Sequence, residues 1–283
     1  ELIQRDEILV APGAYDAVTG KLTARAGAEV VYLSGSSIAT STHGYPDVGL
    51  TTLTEMTTRA RQVVNAVDIP VFSDADTGYG NPINVKRTVE EFEAAGVAGI
   101  HIEDQVFPKR CGHFDGSEVI PVPDMEQKIR SAVDSRSDDA FQIIARTDAR
   151  STEGFEAAVD RSNRYVDAGA DVIFFEAPRN REEVEAAPDR IDAPVLANMT
   201  EGGRTPMFSA AELEAFGYDI VLFPATAFKV MLKSLEEVYS TIVAEGSQEA
   251  IMDRVISWEG RNSVTGLDEI ERLERRYSSN HQG

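Results

Sequence analysis

The sequence predicts a (β/α)8 barrel, a TIM barrel with extra C-terminal helices, on three observations. Short runs rich in Val, Ile and Phe alternate with longer segments of helical period. There are eight such runs. Glycines stand just past helical segments in the triplets Ala26-Gly27-Ala28, Ala95-Gly96-Val97 and Ala168-Gly169-Ala170, where a left-handed residue stops a helix at little cost. Strands that alternate with helices pair in parallel, and eight such units close on themselves. An open doubly wound sheet would carry a glycine-rich phosphate turn after the first strand, and Pro12-Gly13-Ala14-Tyr15-Asp16 does not fit that pattern.

In order, the strand at 8–11 leads to a helix at 16–26, the strand at 30–34 to one at 54–66, and the strand at 70–74 to one at 85–95. The strands at 99–103, 142–146, 172–176 and 194–198 precede helices at 123–134, 154–168, 180–187 and 209–216. The eighth strand, 220–224, runs on into a helix at 227–245 and a charged helical segment at 248–276. The expected organisation is one barrel domain over 1–283, with 227–283 as a helical extension. The 283-residue length suits this, and 42% hydrophobic residues suffice for a sizeable core.

Bulk chemistry narrows the function. A net charge of -21 and a pI of about 4.5 disfavour nucleic acid and anionic membranes as partners. No apolar run is long enough to cross a bilayer, and the first residues lack the form of a signal peptide. The single cysteine excludes an internal disulfide and points to a cytoplasmic location.

In a parallel barrel the site forms at the carboxyl ends of the strands. Polar residues gather there: Ser34-Gly35-Ser36, Asp74 and Asp76, Glu103-Asp104-Gln105, Arg146-Thr147-Asp148, Glu176, and Asn198-Met199-Thr200. Buried charges need partners, so this clustering favours a site over a structural rim. Strand alternation would put Asp74 and Asp76 on one side. With Glu103 they form a hard-oxygen set suited to magnesium, with pairing to Arg146 and Lys109 alone as the simpler alternative. Lys109-Arg110-Cys111-Gly112-His113 follows the fourth strand on a long loop with Pro108 and Gly116. Cationic neighbours lower a thiol pKa, and a glycine-containing loop suits a lid that excludes water. A solvated basic loop would not explain why the lone cysteine lies within it.

These motifs, together with Tyr32-Leu33-Ser34-Gly35, Tyr45-Pro46-Asp47, the run 74–80, His101-Ile102-Glu103-Asp104-Gln105, the run 145–149 and Asn198-Met199-Thr200-Glu201, resemble the isocitrate lyase and phosphoenolpyruvate mutase superfamily. The likeness is nearest to the 2-methylisocitrate lyases, and the pentad at 109–113 marks the lyase branch. The resemblance implies a barrel with a swapped C-terminal helix, usually in a homotetramer, and a small carboxylate substrate. It implies magnesium, or manganese, held by Asp74 and Asp76, with Glu103 and Asp47 acting through water. Ser34, Gly35 and Ser36, aided by Arg146, would hold the 2-oxoacid side. Glu176, Asn198 and Thr200 would contact the other half, and Cys111 and Gly112 would close over the site. In the implied cleavage a base takes the hydroxyl proton, either Tyr32 or water held at the metal, and Cys111 protonates the carbanion. His113, Lys109 and Arg110 would tune the thiol. Isocitrate, dimethylmalate, oxaloacetate and phosphonate chemistry are the alternatives within the superfamily, and a non-catalytic barrel is the alternative outside it. Two family arginines are replaced, one by Lys229 and one, aligned without gaps, by Trp258 with Arg261 nearby. Lysine lacks the bidentate fork, which bears on how the dicarboxylic half is held.

A charge of -21 repels itself and salt screens that repulsion, which suits a salt-rich cytoplasm, with an ordinary acidic soluble protein as the plainer alternative. Thermal unfolding should therefore move to higher temperature as KCl is raised; an unchanged midpoint removes the idea.

Overall fold

The computed structural model describes residues 2–110, 112 and 116–278. Eight strands are present: β1 (Leu9–Ala14), β2 (Val31–Leu33), β3 (Val71–Asp74), β4 (Gly99–Glu103), β5 (Gln142–Thr147), β6 (Val172–Phe175), β7 (Val195–Asn198) and β8 (Ile220–Phe223). Each pairs in parallel with the next, and β8 pairs with β1, so the sheet is a closed barrel, as the sequence predicts. All eight strands fall within a few residues of their expected positions.

Parity along the strands explains both core and rim. Leu9, Ala11, Val30, Tyr32, Phe72, Ile144, Val172, Phe174, Leu196, Ile220 and Leu222 form one buried cluster. Where a strand gives two of them, they are spaced by two, as an inward-facing row must be. The interior is therefore a packed core rather than a pore. Two residues beyond Tyr32, Phe72, Ile144, Phe174 and Leu196 stand Ser34, Asp74, Arg146, Glu176 and Asn198. Registers such as Asp74↔His101 and Glu103↔Arg146 bring these polar continuations to one end. Closure is tight at the β1–β8 seam, where a Cβ on Gly13 would stand 2.1 Å from the Pro224 carbonyl oxygen.

The helices largely follow the expected periodicity. Asn81 caps the helix Pro82–Ala95 through its side chain, with proline in the first turn, and Gly96 ends it at φ 88. Gly27 and Gly169 likewise have positive φ, 91 and 107. Three assignments differ. Ser34-Gly35-Ser36 is not simply a strand-end loop: Ser34 caps a helix, Gly35–His43, absent from the sequence reading. A short helix at Ala149–Thr152 was also not anticipated. The segment expected as helix over 248–276 breaks into the 3-10 turn Glu249–Arg254 and the helices Trp258–Thr265 and Leu267–Tyr277, the last two parted by Gly266 at φ 79.

The chain divides into two compact units, residues 1–228 and 229–283, with the boundary inside the helix Thr226–Glu245. The second unit presents many large apolar side chains to its surroundings, including Val230, Tyr239, Val243, Ile256, Trp258 and Tyr277. Among the described residues no helix is long and apolar enough to cross a membrane.

Candidate active site

A cavity opens at the carboxyl ends of the strands. Its walls are Tyr32, Ser34, Ser36, Asp47, Asp74, Gly112, Arg146, Glu176, Asn198 and Thr200, together with Phe174, Leu222, Pro224 and Ala225. Ten expected site residues therefore meet in one place. Gly35 lies behind Asp74: a Cβ there would stand 2.5 Å from Asp74 Oδ2, so only glycine lets the helix start approach that carboxylate. Asp76 and Glu103 are buried just outside the lining. Cys111 and His113 lie outside the described residues.

Two buried cations organise the acids. Arg146 grips Asp148 with both prongs, Nε to Oδ2 at 2.9 Å and an Nη to Oδ1 at 3.0 Å. The same guanidinium lies 3.3 Å from Glu103 and 3.1 Å from Glu176, with its carbon 4.8 Å from the Phe174 ring centroid. These carboxylates hold its pKa well above the usual arginine value despite burial. Lys109, buried at 3% exposure, places its ammonium 2.6 Å from Asp47 and 2.8 Å from Asp76. The pairing of Lys109 with rim acids, one of the two sequence readings, is thus present at Asp47 and Asp76. Asp76 does not follow Asp74 by strand alternation. β3 ends at Asp74, and Asp76 is left-handed at φ 47, its N–H donating to Asp74 Oδ1 at 2.9 Å. A turn, not a pleat, brings the two acids together.

Pairing with these cations does not satisfy the whole set. Asp47, Asp74, Asp76, Glu103, Asp148 and Glu176 make six carboxylates against two buried cations. Glu103 Oε1 is buried without a hydrogen-bond partner, and Asp74 has His101 Nε2 only at 3.7 Å. Burial raises the pKa of Asp74, of Glu103 strongly, and of Asp76 to about 6. Among the described residues no three His, Cys, Asp or Glu side chains are grouped as a ready cage for a metal. The donors instead fit a hard cation that takes few direct carboxylates and keeps its waters, as magnesium does.

At the cavity floor, Tyr32 Oη lies 2.9 Å from His101 Nε2. Burial pushes the phenol well above its usual value and His101 well below its own, so both are neutral. Asn198 donates to Glu176 at 3.1 Å, leaving its buried Oδ1 without a partner. The loop from β4 reaches the mouth: a Cβ on Gly112 would stand 2.4 Å from Asp148 Oδ1 and 2.6 Å from an Arg146 Nη. Backbone at Gly112 thus seats directly on the Arg146–Asp148 pair.

Sequence reasoning gave no role to Asp148, His101 or the apolar wall. Asp148 continues the inward row of β5 and could have been found that way. Leu222 and Phe174 belong to the same rows, but a core residue and a cavity wall have one appearance in sequence. Lys229 and Trp258 fall in the second unit, where Arg261 lies 5.0 Å over the Trp258 ring.

Comparison with known proteins supports this architecture. The profile of the phosphoenolpyruvate phosphomutase family matches residues 1–243. A 2,3-dimethylmalate lyase of Eubacterium barkeri is 44% identical over 279 residues, covering 99% of this chain and 96% of the relative. A 2-methylisocitrate lyase of Aeropyrum pernix is 45% identical over 278 residues, covering 98% and 89%. The crystal structure of a 2,3-dimethylmalate lyase superposes with a TM-score of 0.92 at 36% identity, over 99% of this chain and 94% of that one. An oxaloacetate acetylhydrolase bound to 3,3-difluorooxalacetate gives 0.93 at 31% identity, over 99% and 96%. Barrel, acidic rim and these relatives together define an enzyme of the carbon–carbon lyase class. The chain belongs to the phosphoenolpyruvate phosphomutase family, within the isocitrate lyase superfamily.

Lys109→Met would leave Asp47 and Asp76 buried without their shared cation. In chelator-treated protein near neutral pH this should cost about 3–5 kcal/mol, read from urea unfolding. Adding Asp76→Asn should recover part of the loss; an unchanged midpoint in the single variant would show that the ammonium offsets nothing.

Proposed function

We propose that this enzyme is a magnesium-dependent lyase cleaving 2-methylisocitrate to pyruvate and succinate. One observation carries the proposal: a cavity rim with more carboxylates than cations, closed by Gly112 from the loop that bears the lone cysteine. The 45% identity to a relative named 2-methylisocitrate lyase supports it. Asp74 and Asp76 would hold the ion, with Glu103 and Asp47 acting through water, and manganese suits the same donors. When bound, the ion supplies a Lewis acid that draws charge from the substrate carboxylate and its adjacent hydroxyl.

The protein's own groups do the rest. The helix Gly35–His43 starts between Ser34 and Ser36 on the cavity wall, and its first N–H groups, with Ser34, Ser36 and Arg146, would hold the side that becomes the 2-oxoacid. Glu176, Asn198 and Thr200 hold the other half. Tyr32 Oη lies 2.9 Å from His101 Nε2, so Tyr32 takes the substrate hydroxyl proton as it passes its own phenolic proton to that nitrogen. As that hydroxyl becomes a carbonyl, the bond to the neighbouring carbon breaks and leaves its electron pair there. Cys111 gives that carbon its proton, forming succinate, and Arg110 and His113 favour the thiolate left behind. Gly112, seated over Arg146 and Asp148, excludes water while the carbanion lasts.

A dimethylmalate-type substrate is the second choice, favoured by the apolar wall of Phe174, Leu222, Pro224 and Ala225 and by the 44% identity to a dimethylmalate lyase. Incubation with 2-methylisocitrate, isocitrate and dimethylmalate, with and without EDTA, separates them. The first should be cleaved fastest and only without chelator; chelator-insensitive cleavage contradicts the metal role. Cys111→Ser should lower kcat by about 10²–10⁴ with metal binding intact, and near-normal turnover would refute the assigned proton donor.

The enzyme is further proposed to be a cytoplasmic homotetramer with exchanged C-terminal helices. The apolar surface of the second unit supports this, because side chains such as Val243, 85% exposed, call for a cover. Light scattering should give four chains; a monomer at micromolar concentration sinks the assignment.

A further inference from the structure

We propose that Arg161, which lies outside the cavity, is a positioning residue that ties the stem of the β4 loop to the carboxylate orienting Asp148 and Arg146. It rests on the lyase assignment above.

Arg161 lies on the helix Phe155–Asp167 and is 6% exposed. Its Nε and one Nη each donate to Glu153 at 2.8 Å, which fixes the plane of the guanidinium. The other Nη faces inward. It donates to the Ile120 carbonyl at 2.9 Å and to Tyr165 Oη at 3.1 Å, and lies 3.5 Å from Asp104 Oδ2. Tyr165, one turn further on, donates to the same Asp104 oxygen at 2.8 Å. Asp104 accepts in addition from Thr147 Oγ1 at 2.8 Å and from the Asp148 N–H at 2.9 Å. None of Arg161, Tyr165 and Asp104 lines the cavity.

The loop between β4 and the helix Val122–Ser135 stands on this cluster. Its stem is a small antiparallel pairing: Val106 N–H donates to the Glu118 carbonyl, Ile120 N–H to the Asp104 carbonyl, each at 2.8 Å, with a bridge at Gln105↔Val119. Gln105 also clamps Arg110, accepting its N–H at 2.9 Å and donating to its carbonyl at 2.8 Å. Further along the loop, Gly112 rests on Arg146 and Asp148. The connections therefore close a circuit. Ile120 is held by Arg161, Arg161 and Tyr165 hold Asp104, Asp104 holds Asp148, Asp148 holds Arg146, and Gly112 covers that pair.

A buried pair serving stability alone would need only Asp104 and Glu153 as partners. Because Arg161 also holds the Ile120 carbonyl, and Asp104 in turn accepts the Asp148 N–H, the pair links loop placement to site geometry. Small misplacements of a closing group cost rate more than affinity, since about 1 Å can be worth 10²-fold. Lysine at 161 keeps the charge but cannot span Glu153 and the Asp104 cluster together.

The test compares wild type, Arg161→Lys, Tyr165→Phe and Glu153→Gln as full-length, magnesium-loaded protein. Each variant should expose the Val106 and Ile120 amides to faster hydrogen exchange, by roughly tenfold or more in Arg161→Lys, with exchange in β6 and β7 unchanged. On whichever substrate the wild type cleaves, kcat should fall roughly 10- to 100-fold in Arg161→Lys, with KM within about threefold. Stem exchange at the wild-type rate, or a fall in kcat matching only the loss of folded protein, overturns the proposal. If Arg161→Lys does not fold, Tyr165→Phe and Glu153→Gln decide it by the same readouts. If the wild type cleaves no substrate, the lyase assignment fails by itself and the exchange measurement still decides the role of Arg161.

Discussion

Carboxylates forced together at one end of a closed sheet repel one another, and the structure is arranged around that repulsion. The barrel cannot relax it by opening, because every strand is paired on both sides. Relief must come from cations brought into the same space. Arg146 serves three acids from its place on β5, and Lys109 serves two from the loop after β4. Six carboxylates still face these two cations, so the rim keeps an excess of acid. The loop after β4 and the acids of the rim are thereby coupled, since Lys109 belongs to the loop that carries Gly112.

The barrel was legible because its signals are local and repeated. Apolar runs recur eight times, helical periods separate them and glycine stops punctuate three of the repeats, all supporting the same answer. The rim was legible for a related reason: inward parity carries the core rows into the site, so Asp74, Arg146, Glu176 and Asn198 announce themselves at strand ends. What sequence could not show depends on turns and on distance. Ser34 opening a helix was hidden because Ser-Gly-Ser also suits a loop. Asp76 arrives through a left-handed turn that strand reasoning does not foresee. Lys109 stands in a basic run where pairing with rim acids was one reading, but which acids it meets, Asp47 and Asp76, depends on the path of the loop.

Arg161 and Tyr165 show the same limit from the helical side. Their spacing of four places them on one face of the helix Phe155–Asp167, and that face is buried. A polar pair on a buried stripe is a signal, but its partner Asp104 is 57 residues from Arg161 and 61 from Tyr165, beyond what a single sequence can connect. Support for a site can thus come from the layer behind the strands, where it is invisible to any inspection confined to the rim.

The pairing of β1 with β8 has a consequence for how the protein is made. Leu9 meets Ile220, so the first strand emerges from the ribosome some two hundred residues before its second neighbour exists. Until then the nascent sheet carries an unpaired edge at either end, the kind of surface on which chains associate wrongly. Ring closure is the contact of longest sequence separation in the sheet, and such contacts are slow to form. Translation speed and chaperone attendance therefore bear most heavily on this one seam, where a glycine and a carbonyl must meet at close quarters before the enzyme has a floor to its pocket.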